Sequence, residues 1–133
     1  MGLGVKLLLD THTILWMAAA PAKLSHPACV QLAETGNKRF VSAISVLELS
    51  IKHRVGKLPE AATLLADLED MLARLAAKEL PITSAEANLA GSLPWENRDP
   101  FDRILAAQAI RQNLVLVSAD IAFDSIGGVN RLW

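Results

Sequence analysis

The chain of 133 residues contains a single cysteine, Cys29, so no internal disulfide framework exists and the fold must rest on its own core. A domain of this length can bury roughly two-thirds of its unfolded surface, which is enough without a covalent staple. Cys29 lies in His26-Pro27-Ala28-Cys29-Val30 and reads as a small, partly buried apolar side chain, not a reactive thiol. Long apolar runs are missing too. The longest, Ile14 to Ala20, stops at Pro21, well short of the ~20 residues that a bilayer span needs. The N-terminus shows neither a basic region leading into an apolar stretch and cleavage site nor the hydroxyl residue of a myristoylation signal. These absences imply a cytoplasmic protein with no membrane attachment.

An excess of one charge is also absent. Lys+Arg number 13 and Asp+Glu 14, a net charge of −1, so bulk positive charge cannot hold a nucleic acid, and any such binding must be local or assisted by metal. His12, His26 and His53 are scattered, and no His/Cys spacing suggests zinc. No internal repeat, low-complexity tract or linker interrupts the chain, which reads as one domain over residues 1–133. What is abundant is apolar side chain, 52% of residues, more than one core needs and in keeping with an oligomer or an obligate complex.

Two runs, Val5-Lys6-Leu7-Leu8-Leu9 and Leu114-Val115-Leu116-Val117, are short and nearly continuously apolar, the pattern of parallel strands covered on both faces. Between them the periodicity is mostly helical. Pro27 to Thr35 reads as a short helix with Gly36-Asn37 as a left-handed stop. Lys38 to Val41 reads as a weaker strand, and Ser42 caps a helix to about Arg54. Leu64, Leu65, Leu68, Met71, Leu72 and Leu75 form one helical stripe. Glu79 to Ile82 suggests a strand, Ser84 a cap for a helix to Leu89, and Gly91 to Asp99 a loop before a last helix from Pro100 to Gln112. Strands alternating with helices predict a three-layer α/β/α sandwich around a central parallel sheet.

Asp10 ends the first strand, and Asp120 follows the last by two residues, so both belong at the carboxyl-terminal edge of a parallel sheet, where open α/β sheets bind ligands. Either acid alone also fits a turn or helix cap. Glu48 sits in a helix so apolar that its charge needs a partner; Lys52, four residues on, offers an ordinary helix pair, whereas Ser45 shares its face and can bring it toward Asp10. Asp99-Pro100 is an N-cap followed by proline at the first helical position. Capping accounts for Asp99 in full, and the helix dipole favours Asp102 at the third position, although one cap already serves that end. Four acids at one edge repel each other unless a hard divalent cation holds them, and oxygen-only donors favour Mg²⁺ or Mn²⁺. A phospho-receiver domain also gathers acids at a sheet edge, but with adjacent acids after the first strand, where this chain has Leu9 before Asp10.

Leu7 to His12, Ser42 to Glu48, Arg98 to Ala109, and Leu116 to Asp120 with Phe123 together resemble the PIN-domain nucleases, most closely the VapC-like toxins of prokaryotic toxin–antitoxin pairs. The likeness spans nearly the whole chain, including the closing Arg131-Leu132-Trp133. It implies a metal-dependent endoribonuclease, with Asp10, Glu48, Asp102 and Asp120 at the family's acidic positions, Thr11 and Ser118 as supporting hydroxyls, and Asp99 nearby. It further implies a homodimer or a hetero-oligomer with a cognate antitoxin whose tail enters the acidic groove. Asp10, Asp102 and Asp120 are then the main ligands for Mg²⁺ or Mn²⁺, with Glu48 either a ligand or a holder of water. Arg98, Arg103 and Lys52 are candidates for flanking phosphates. The chain departs from the pattern at Leu93-Pro94-Trp95-Glu96-Asn97, where relatives often carry histidine. The rival reading is a PIN-like RNA-binding module without catalysis.

Overall fold

In the computed structural model, which describes residues 4–133, both apolar runs lie at the centre of one five-stranded sheet. Its strands are β1 (Lys6–Leu9), β2 (Lys38–Ser42), β3 (Ala77–Leu80), β4 (Val115–Val117) and β5 (Asn130–Leu132). They lie in the order β3-β2-β1-β4-β5, and every adjacent pair is parallel. The chain therefore moves outward from β1 through β2 to β3, then returns past β1 to lay down β4 and β5. Because βαβ crossovers have one hand, that reversal sends the connecting helices to the opposite face of the sheet.

The helices are α1 (Thr11–Ala19), α2 (His26–Ala33), α3 (Ala43–Arg54), α4 (Ala62–Ala66), α5 (Leu68–Leu75), α6 (Ser84–Ser92) and α7 (Pro100–Gln112). Side chains alternate along the strands, so Leu7, Leu9 and Val117 face one core with Ile14, Leu32, Leu49, Leu64, Met71 and Leu75. Leu8 and Leu116 face the other, with Leu80, Leu105, Ala106, Ala109 and Phe123. The predicted three layers are present. α3 belongs to both sides: Ile44 packs in the second core and Leu49 in the first. It thus crosses the carboxyl-terminal edge of the sheet and carries Glu48 there.

Several boundaries differ from the sequence reading for identifiable reasons. α2 ends at Ala33, and Gly36-Asn37 is no left-handed stop, since neither residue has positive φ. Asn37 works through its side chain, accepting from Val5 N at 2.8 Å and donating to Gln31 O at 2.9 Å. The stripe from Leu64 to Leu75 is two helices. Asp67 is extended and accepts from Asp70 N, capping α5, while Leu64 and Met71 still share one core. β3 begins at Ala77, two residues before the expected start. Thr83, not Ser84, caps α6, in a reciprocal capping box with Glu86, and the helix runs on to Ser92. Cys29 is exposed, against the expectation of partial burial. Among the described residues, no helix is long and apolar enough to cross a membrane.

Candidate active site

The sheet order reverses between β1 and β4, and this switch point is where an open α/β sheet leaves a crevice beyond its carboxyl ends. A pocket of about 340 Å³ opens there, lined by Asp10, His12, Trp16, Glu48, Lys52, Asp99, Asp102, Ala119 and Asp120. Four elements supply its acids. Asp10 comes from the β1–α1 junction, Glu48 from α3, Asp99 and Asp102 from the start of α7, and Asp120 from the turn after β4.

Asp10 is 8% exposed and caps α1. Its Oδ1 accepts from Thr11 N at 2.7 Å, and its Oδ2 accepts from Ser118 Oγ at 2.6 Å. The Ser118 hydroxyl in turn accepts from Asp120 N at 3.0 Å, so one fully buried side chain ties the two strand-end acids together. Thr11 Oγ1 donates to Glu48 Oε1 at 2.6 Å and, having one hydrogen, receives from Ser45 Oγ at 3.2 Å. The other Glu48 oxygen pairs with Lys52. The two partners considered for Glu48 are therefore both present: it faces Asp10's helix and also holds the lysine one turn on.

At α7, Asp99 accepts from Phe101 N at 2.8 Å and from Asp102 N at 3.4 Å, the expected cap. Asn97 organises both acids, accepting from Asp99 N at 2.9 Å and donating to Asp102 Oδ2 at 3.0 Å. Burial raises the Asp102 carboxyl, Asn97 opposes the rise, and the charges of Asp99, Asp10 and Asp120 add to it, pushing its pKa up to about 7. Burial likewise raises Asp10 above the usual carboxylate range, against the hydrogen bonds from Ser118 and Thr11 and with the Glu48 charge adding to the rise. Burial pulls Lys52 down, but the Glu48 hydrogen bond and charge, helped by Asp99 and Asp102, leave it raised. Perturbed acids sharing one cleft are a mark of function.

The three basic candidates separate. Lys52 lines the pocket. Arg98 is exposed and does not line it. Arg103 is engaged elsewhere: its Nε donates to Ala90 O at 2.7 Å, Nη1 to Trp95 O at 2.9 Å and Asn97 O at 2.7 Å, and Nη2 to Leu93 O at 2.6 Å. A guanidinium with four such bonds is a clamp on the loop that presents Asn97, not a free phosphate ligand. The sequence reading missed Asn97 and Trp16. The signal for Trp16 was its place four residues after His12, on the same face of the helix that Asp10 caps.

Among the described residues, no three His, Cys, Asp or Glu side chains are already drawn into a closed metal cage. The donors nevertheless fit a hard cation. They are all carboxylate oxygens around an open pocket, two of them raised by burial and mutual repulsion. Mg²⁺ in particular keeps several waters and takes few protein carboxylates, so it needs no prebuilt cage.

The family model described as PIN domain matches residues 7–129. The chain is 32% identical over 114 residues to Ribonuclease VapC22 of Mycobacterium tuberculosis (strain ATCC 25618 / H37Rv), covering 85% of each chain. Its fold is similar to VapBC2 from Rickettsia felis, solved bound to a DNA fragment from their promoter, with a TM-score of 0.69, 17% identity, and coverage of 96% of this chain and 97% of that one. DNA-bound VapBC from Salmonella typhimurium gives a TM-score of 0.67 at 22% identity, covering 96% of each chain.

Proposed function

Because the chain belongs to the PIN-domain family, we propose that it is a Mg²⁺- or Mn²⁺-dependent endoribonuclease, the toxin of a toxin–antitoxin pair. The observation that carries the reading is the pocket at the switch point, where Asp10, Glu48, Asp102 and Asp120 line one space and two of them are raised by burial and like charge. The relative named Ribonuclease VapC22 supports RNA as substrate, and the VapBC complexes support a separate antitoxin chain. An acidic pocket open at the sheet edge suits a basic antitoxin tail. The exposed apolar residues Leu47 and Ile51 on α3 and Val55 just after it suit apolar contact with a partner chain or a second copy.

Asp10, Asp102 and Asp120 would hold the cation. When bound, a divalent ion activates water and offsets charge building on the phosphate. Ser118 keeps Asp10 and Asp120 in register, and Asn97 does the same for Asp102. Thr11 and Lys52 take one lone pair from each Glu48 oxygen, leaving a second on each and fixing the carboxylate where it can orient the attacking water. Lys52 is the cation placed to meet a flanking phosphate.

Mapping cut ends in cellular RNA after brief expression tests this. Wild type should produce discrete cuts and growth arrest, and Asp10→Asn should lose both while keeping its fold by circular dichroism. Chelation should stop cutting by purified wild type, and Mg²⁺ or Mn²⁺ should restore it. RNA binding by wild type with no cut ends would favour the binding module; undiminished cutting by Asp10→Asn would remove Asp10 from the mechanism.

A further inference from the structure

The pocket has one wall that the chemistry above does not use. His12 and Trp16 both line it, their ring centroids are 5.8 Å apart, and Trp133 lies behind Trp16 at 5.5 Å. His12 is exposed, and both tryptophans are half-buried. Trp95 provides the contrast. It stacks on Phe123 at 5.5 Å, donates its indole N–H to Ser125 Oγ at 2.9 Å, and does not line the pocket. Trp95 is completed by the protein, whereas Trp16 has no acceptor for its indole N–H among the described residues and presents its ring beside the acids. The packing role of Trp16 in the first core explains its buried side but not an aromatic wall on a cleft of carboxylates.

We propose that Trp16, braced between His12 and Trp133, is a stacking platform for an unpaired nucleobase next to the phosphate that the acids address. This rests on the ribonuclease reading and narrows its substrate to single-stranded or looped RNA. A pocket with five carboxylates gives a nucleic acid little direct charge attraction, so affinity must come from elsewhere. Base–aromatic stacking contributes without charge, and alanine substitution at such sites weakens binding roughly 5- to 150-fold per base. Bases inside an A-form duplex are not available for it. The platform and Asp10 also share a rigid part, because Asp10 caps the helix that carries both His12 and Trp16, so a stacked base is placed at a fixed distance from the reacting phosphate.

The test is a cycle between ring and base, run as binding in the Asp10→Asn chain with Mg²⁺ so that nothing is cut. The probes are a short oligoadenylate, an abasic strand of equal length and a duplex. Trp16→Leu should weaken oligoadenylate binding by roughly 5- to 150-fold, leave the abasic strand and duplex unchanged, and be largely rescued by Trp16→Phe. In the Asp10-intact chain the same change should raise KM and spare kcat. Equal weakening for the abasic strand, or none for oligoadenylate, would overturn the platform. So would a Trp16→Leu chain that binds RNA as before but releases a co-purifying protein partner, which would assign the ring to protein docking. Wild type that stacks bases yet cuts nothing would fail the nuclease reading alone, whereas cutting that is indifferent to Trp16 would fail the platform alone.

Discussion

The two open ends of the sheet hold pockets of similar size, about 430 Å³ at the amino-terminal edge and about 340 Å³ at the carboxyl-terminal edge, yet their linings share no chemistry. The amino-terminal pocket is bounded by Gly4, Val5, Lys6, Gln112, Asn113, Val115 and Asn130. Among the described residues that line it there is one charge, on exposed Lys6, and no acid. Its walls are strand starts and the end of α7, and they are there to close the chain: a Cβ on Gly4 would collide with the carbonyl of Gly36. The carboxyl-terminal pocket gathers five acids and one lysine. Volume therefore does not distinguish a site from a gap between elements. Buried like charge does, because a fold retains it at a cost unless something bound compensates.

The sharpest way to break the comparison is to remove the link between Asp10 and Asp120. Ser118 is fully buried, and both hydrogen bonds of its hydroxyl serve the acids. Ser118→Ala should lower cleavage by about 10- to 100-fold, the range for groups that orient metal ligands. It should also cost about 1–3 kcal/mol of stability by leaving buried polar groups unpaired. Single-turnover cleavage and urea denaturation read the two effects. Cleavage within twofold of wild type would mean that the strand-end acids need no common support.

Much of the carboxyl-terminal edge was legible in the sequence because its signals are local. Leu7-Leu8-Leu9-Asp10, Val115-Leu116-Val117 before Asp120, and Asp99-Pro100 each carry their geometry within a few residues. What stayed hidden depends on distant backbone. Arg103 reads as a free cation until the loop carbonyls of Leu93, Trp95 and Asn97 surround it. β5 (Asn130–Leu132) has no apolar run and pairs only as a three-residue edge strand. Asp67 breaks a helical stripe whose two halves keep one face, so the period runs on across the break. Periodicity reports which face is buried, not where the backbone is interrupted.

The carboxyl-terminal edge should also dominate the pH response of the metal-free protein. A carboxyl whose folded pKa is raised binds protons more readily when folded than when unfolded. Its stabilising contribution is therefore present at low pH and lost as pH climbs. For Asp102 that window runs from about 4, the unfolded value, to about 7, and the raised Asp10 acts in the same direction. Asp124, held low by the Arg131 guanidinium, tilts the other way, so the informative quantity is the difference between wild type and Asp102→Asn. The variant should gain thermal midpoint relative to wild type between pH 4 and 7, and Mg²⁺ or Mn²⁺ should narrow that gap at pH 7 by stabilising wild type. A gap that does not change with pH would remove the charge argument from Asp102.

At the amino-terminal edge the smallest effect on cleavage is expected, with stability altered instead. Asn113 ends α7 at φ 54°, the left-handed region that costs an ordinary side chain roughly 1–2 kcal/mol and that asparagine tolerates better. Asn113→Ala should destabilise the fold by about 1 kcal/mol, Asn113→Gly should not, and cleavage at saturating metal should stay within about twofold in both. The glycine variant matters most here, since it changes the pocket lining while sparing the backbone. If Asn113→Gly lowered cleavage tenfold at unchanged urea midpoint, the amino-terminal pocket would be coupled to the acids through β1 and β4, and the contrast between the two edges would fail.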